Sequence, residues 1–154
     1  MATRTFFIRI ASYVLLVLVS AVSLLAYAKN KNNHKVCFNG YCFKVELAVT
    51  KSEREKGLMF RGYLAKDSGM LFIYKYKGIY PFWVKNTKIP LDMIWINRKK
   101  QIVFIKKNAS PCSQDKCMLV YPDKPAKYVL EINSGSAGKI GLKLGEKLSF
   151  YNIP

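Results

Sequence analysis

Five residues near the middle of the chain combine useful chemistry with unusual placement: Arg61, Trp83, Lys85, Asn86 and Asp92. Asp92 stands inside the apolar run Leu91–Ile96, where an unpaired carboxylate is costly. Two roles follow for it. The expected one is a structural ion pair with Arg54, Arg61 or Lys85. The other is a catalytic general base, with Lys85 or Arg61 stabilising developing charge. In an extended segment Trp83 and Lys85 point one way and Phe82 and Val84 the other, so one pair faces solvent or a groove. Asn86-Thr87 ahead of Lys88-Ile89-Pro90 is turn chemistry, and loops also carry binding groups. Brought into one concavity, these side chains would suit a polar or anionic ligand.

Other chemistries are limited by what the chain lacks. His34 is the only histidine, so Ser–His–Asp and Cys–His nucleophiles have no base. No G-x-x-x-x-G-K-[ST] phosphate loop occurs. The cysteines form two C-x4-C units, Cys37/Cys42 and Cys112/Cys117. Four thiolates could hold zinc, but structural zinc sites usually carry C-x2-C pairs. Local disulfides are the better reading. Asn39-Gly40 is a type I′ hairpin signal that sets Cys37 opposite Cys42, close enough to bridge. The second unit is a polar loop pinched at its base. With the cysteines so used, the sequence predicts no metal site and no cofactor. Met59, Met70 and Met93 read as core filler rather than soft-metal ligands.

The elements that must position these residues are short. Phe43, Val45, Leu47 and Val49 alternate with polar or small neighbours, the period of a half-buried strand. Thr50-Lys51-Ser52-Glu53 fits a capping box, predicting a helix through about Lys56 that stops near Gly57. Asp67-Ser68-Gly69 turns into the strand Met70–Tyr74. Ile79–Val84 is apolar but contains Pro81, so it belongs at an edge or starts late. Leu91–Ile96 and Ile102–Ile105 flank the polar connection Asn97–Lys100. Tyr128–Ile132 and Leu148–Tyr151 are further strands, and Ser134–Gly141 allows at most one helical turn. The expected fold is α+β and mostly β: a small antiparallel, barrel-like sheet with one or two short helices.

The N-terminus and the charge bear on location. Arg4 and Arg9 precede the uncharged run Ile10–Ala28, which ends Ala-Tyr-Ala. These are the parts of a secretory signal peptide cleaved after Ala28, the alternative being an uncleaved transmembrane anchor. Residues 29–154 then form one extracytoplasmic domain, secreted or periplasmic if the leader is cleaved and membrane-anchored otherwise. The 154 residues carry 26 Lys+Arg and 9 Asp+Glu, a formal +17. A hydrophobic fraction of 51% excludes disorder. The cations are mostly lysine, which argues against specific nucleic-acid readout through arginine forks. Anionic membrane lipid or wall polymer is the better-matched polymeric partner.

Several of these segments recur together in a known pattern. Glu53-Arg54-x-x-Gly57-Leu58-Met59-Phe60-Arg61, Gly69-Met70-Leu71-Phe72, Phe82-Trp83-Val84-Lys85-Asn86-Thr87, Pro90-Leu91-Asp92-Met93-Ile94 and a late P-A-x-Y-V-L-E-x-N at Pro125–Asn133 resemble the family catalogued as domain of unknown function 192. The resemblance runs from about Phe43 to Phe150. Val84 stands where the family usually has Met, and Asn97 where an acid is common. The resemblance implies a compact barrel-like fold, often behind a signal peptide, and a Cys pair in the 112–117 loop. It implies no established biochemical function. The residues themselves favour a binding module for a polar or anionic ligand through Arg61, Trp83, Lys85, Asn86 and Asp92. The alternatives are an enzyme with Asp92 as general base, or lysine-mediated adhesion to anionic lipid or wall polymer.

Overall fold

In a computed structural model, residues 15–20, 33–113 and 117–154 are described. Residues 15–20 form a short helix, α1. The leader and its cleavage point at Ala28 otherwise lie outside the described residues. Among the described residues no helix is long and apolar enough to cross a membrane, so the transmembrane alternative is not met there.

His34–Pro154 is a separate compact unit. Its first hairpin joins β1 (Lys35–Phe38) to β2 (Tyr41–Ala48) through Asn39-Gly40. Both turn residues take positive φ, 46° and 80°, as a type I′ turn requires. Cys37 pairs with Cys42 in the ladder, and the two are joined by a disulfide across a Cα–Cα distance of 4.1 Å. After β2, Thr50 accepts the N–H of Glu53 while the Glu53 carboxylate accepts the N–H groups of Thr50 and Val49. This closed capping box starts α2 (Lys51–Lys56), and Gly57 ends it.

The chain then returns as β3 (Ser68–Gly78), followed by β4 (Leu91–Ile96), β5 (Ile102–Ala109), β6 (Ala126–Asn133), the one-turn α3 (Ser136–Lys139) and β7 (Ser149–Tyr151). The strands lie in the order β5-β4-β6-β3-β2-β1-β7. Two features correct the expected antiparallel barrel. The sheet is open, with β5 and β7 as its edge strands and no ladder between them. Among the described residues, the isolated bridge Gln101↔Lys147 and the backbone bonds of Lys100 and Ile102 to residues 145–148 link the start of β5 to the segment before β7. In addition, β2 and β3 run parallel, Val45 opposite Gly69 and Leu47 opposite Leu71. A helix between two strands carries the chain back to its starting end, and the return strand must then pair in parallel. Ile79–Val84 is likewise not a strand of the sheet; it makes one bridge, Phe82↔Val120.

Both faces of the sheet are covered, and strand alternation sorts their residues. Leu71, Ile73, Ile94, Ile96, Leu130 and Ile132 face a core closed by Ala137, Leu142 and Leu148. Met70, Phe72, Leu91, Met93, Trp95 and Val129 face a second core closed by Leu58, Leu64, Phe82 and Val84. This double burial explains why every residue of β4 is buried. Trp95 packs edge-to-face against Phe82 and Phe104 and donates its indole N–H to the Tyr80 carbonyl at 2.8 Å.

Candidate functional site

The second core is incomplete under α2. A cavity of about 310 Å3 opens there between α2, the middle of β3 and β6, and residues 81–87. Its walls are Leu58, Phe72, Phe82 and Leu119; Lys51, Arg54, Glu55, Lys56 and Lys85 bring charge to it. Trp83 also lines it and is 43% exposed.

Local structure holds each of these groups in place. The capping box fixes the start of α2, whose side chains Lys51 and Arg54 reach the cavity. Arg54 donates to the carbonyls of Val49 and Ile73, the latter at 3.2 Å. Its guanidinium lies 4.8 Å above the Tyr74 ring, which is itself stacked on Tyr80 at 3.4 Å. Burial pushes the Tyr74 phenol up to about 12. Segment 82–86 is stitched to the second cysteine loop. The Phe82 and Val120 backbones exchange hydrogen bonds, Cys112 N–H donates to the Val84 carbonyl, and Asn86 N–H donates to the Cys112 carbonyl. The Cys112–Cys117 disulfide closes that loop. Phe82 and Val84 are thereby buried, while Trp83, with Lys85 Nζ 5.2 Å from its ring centroid, faces outward.

Glu131 is the buried acid of the cavity, Glu55 the exposed one. Glu131 lies on β6 with Met70 opposite on one side and Met93 on the other. It is 4% exposed and lines the cavity. No described residue hydrogen-bonds or ion-pairs with its carboxyl. Burial among these apolar neighbours pushes that carboxyl up to about 8, which leaves it mostly protonated at neutral pH. A neutral carboxylic acid offers one O–H donor and one carbonyl acceptor side by side.

The five sequence-selected residues divide. Trp83 and Lys85 meet at the cavity. Arg61 does not line it; its guanidinium makes a two-point pair with Glu46. That bond holds the Glu46 carboxyl below the ordinary carboxylate range and raises Arg61. Asn86 sits in a left-handed turn at φ 53°, and its backbone joins the Phe60 and Cys112 segments. Asp92 points into the opposite core, with Ile94 and Ile96.

The expected ion pair of Asp92 is therefore corrected. Its carboxylate is fully buried and accepts two backbone N–H groups, from Asn108 and from Ala137, each at 2.9 Å. The first lies at the irregularity where the β4–β5 register shifts, with Asn108 at φ 52°. The second is in the first turn of α3, whose N-cap Gly135 has no side chain to accept it. Asp92 thus joins a bulge to a helix start, and without solvent access it has no route to a substrate proton.

Sequence reasoning missed Glu131, although its setting, Tyr128-Val129-Leu130-Glu131-Ile132, is as apolar as that of Asp92. The signal was a carboxylate in a strand buried on both faces. Arg54, Lys51 and Lys56 were also outside the expected set, and the helix carrying them was foreseen.

The fold and sequence have known counterparts. A family model for DUF192, described as an uncharacterised ACR, matches residues 34–150. A protein of unknown function from Novosphingobium aromaticivorans has a crystal structure similar to this one, with a TM-score of 0.68 and 36% identity. The similarity covers 75% of this chain and 82% of that one. A protein from Sinorhizobium meliloti, described as a candidate transcription regulator, gives a TM-score of 0.69 at 36% identity, over 76% of this chain and 91% of its own. A comparison with curated proteins finds no match. With the family model spanning the compact unit and both structures agreeing in fold, the chain belongs to the DUF192 family.

Proposed function

We propose that this chain is an extracytoplasmic binding module for a small polar or anionic ligand, with its site in the cavity beneath α2. One observation carries the reading: four cationic side chains, Lys51, Arg54, Lys56 and Lys85, and the half-exposed Trp83 surround one cavity against a single acid at its mouth, Glu55. That charge balance attracts anions and repels cations. The cavity's size is at the lower end for small-molecule sites, roughly 300–1,000 Å3. The two disulfides support an oxidising compartment outside the cytoplasm, as does the leader-like sequence of residues 1–28.

The test is a thermal-shift screen of small carboxylates and phosphate esters on the full chain, followed by calorimetry of any hit. A saturable rise in Tm is expected, removed by Trp83→Ala and weakened by Lys85→Ala. A hit that both variants bind as well as wild type would place the site elsewhere. A lysine surface acting by adhesion alone gives instead a response to anionic polymer that high salt abolishes and that ignores Trp83.

A further inference from the structure

Glu131 is difficult to explain as a structural group. It sits on a central strand between two methionines, almost fully buried, with no hydrogen-bond partner, and it borders a cavity. Among the described residues no side-chain oxygen is both fully buried and unpartnered, so the Glu131 carboxyl opens onto the cavity, where an incoming group can reach it. A cation would satisfy a carboxylate, but the charged groups that line the same cavity are mostly cations. Those on α2 are Lys51, Arg54, Lys56 and the acid Glu55; the 81–87 segment brings Lys85, and β3 brings Tyr74, with Tyr80 stacked behind it. From β4 come only Met93 and Trp95, and from residues 117–120 Leu119. An incoming ammonium would meet this excess of positive charge before it met Glu131.

We propose that Glu131 is the recognition group of the cavity and pairs, through its O–H and C=O together, with a cis N–H/C=O edge on a small anionic ligand. Such an edge belongs to a primary carboxamide or a lactam-type ring; the ligand's negative group lies at the mouth, beside Lys51, Lys56 and Lys85. The inference rests on the binding reading above and specifies which half of the ligand enters first. Phe72 and Phe82 form an edge-to-face pair with centroids 4.8 Å apart that lines the cavity beside Glu131. A planar, apolar-faced group suits those walls, and its polar edge must then be met by the one acid beneath. The protonated state that this pairing needs is the one burial already imposes.

The experiment uses the full chain, with 4-carbamoylbenzoate and uridine 5′-monophosphate as probes for the carboxamide and ring sources. Terephthalate and the N3-methylated nucleotide are controls that lack the cis N–H. Calorimetry is run at about pH 6.5 and about pH 9.5, with Glu131→Gln and Glu131→Leu beside wild type. At least one probe should bind wild type at the lower pH. The pH comparison is read on 4-carbamoylbenzoate, whose amide does not ionise in this range as the uridine N3–H does. Its binding should weaken about 30-fold at the higher pH as the Glu131 carboxyl ionises. Terephthalate should show no such loss. Glu131→Gln keeps a donor and an acceptor, so it should bind within about threefold of wild type and lose the pH dependence. Glu131→Leu should lose at least about tenfold.

Binding that strengthens with pH, that Glu131→Leu leaves intact, or that the N-methyl control matches would overturn the role of Glu131. So would binding by neither probe. If terephthalate still binds and Trp83→Ala removes it, the cavity remains a ligand site and only Glu131's part is refuted. If no small anion binds at all, both readings fail together.

Discussion

Replacing Glu131 by glutamine should change how stability depends on pH, without any ligand present. The unfolded chain releases this proton near the ordinary 4.5, while the folded chain holds it until about 8. Between those values the folded form binds more protons, so its stability falls as pH rises through that window and levels off above it. The interval is about 3.5 on the pH scale, at about 1.4 kcal/mol for each step of one. The largest loss is therefore about 5 kcal/mol, and hydration of the ionised group through the cavity brings it to about 3–5. Against a typical total of about 5–15 kcal/mol, that is a large fraction.

Other shifted groups act elsewhere. Glu46 and Asp67 are held below their ordinary values by hydrogen bonds from Arg61 and Lys44, so their contribution is lost only as acid protonates them, below this window. Tyr74 matters only between its ordinary 10 and about 12. Urea denaturation at fixed ionic strength, from about pH 5 to about pH 9, should show wild type weakening while Glu131→Gln stays nearly level. Equal pH dependence in the two proteins would refute the buried, protonated carboxyl and the recognition argument built on it.

Asp92→Asn should cost about 2–4 kcal/mol in the same denaturation assay, because an amide can accept only one of the two backbone N–H groups without opposing the other. Gly69→Ala should be at least as damaging: an added Cβ would lie 2.6 Å from the Glu131 carbonyl oxygen and 2.9 Å from Ile132 Cγ2. Amide exchange should then show β3 and β6 loosened together. Thr50→Ala opens the capping box and should cost about 1 kcal/mol, and by freeing α2 it should also weaken any ligand that depends on Lys51 or Arg54. Changing both Cys112 and Cys117 to Ala removes a short loop closure worth about 2 kcal/mol, measurable as a lower urea midpoint.

Local features were legible in the sequence because single residue types cause them. Asn39-Gly40 sets a turn and hence the Cys37–Cys42 register, and Thr50 with Glu53 starts α2 at the residue expected. What depends on distant partners was not legible. The parallel pairing of β2 with β3 follows from where a helix lands, and alternation within either strand is the same whichever way its neighbour runs. The candidate site shows the same division. Trp83 and Lys85 were placed together by strand alternation, whereas Asp92 was taken for a member because it is polar in an apolar run. Alternation alone assigns it a face only relative to Leu91 and Met93. Which face held the cavity was decided by Leu58, Phe82 and Val84 on one side and by Ala137 and Leu142 on the other. Glu131 is hard to single out because a strand buried on both faces shows no alternation to mark which of its positions borders a cavity.

The pairing of β1 with β7 has a mechanical consequence. Lys35 lies opposite Tyr151, and Cys37 opposite Ser149, so the two ends of the compact unit meet at one end of one antiparallel ladder. A pull applied through both ends would load those backbone hydrogen bonds one after another, as a zipper opens, rather than all at once in shear. The unit should therefore yield first at β7, at low force, while the sheet around the cavity keeps its strands. The same closeness means that a short linker from Pro154 to His34 could join the ends of the compact unit, and new ends could be opened at the exposed Arg98-Lys99 between β4 and β5.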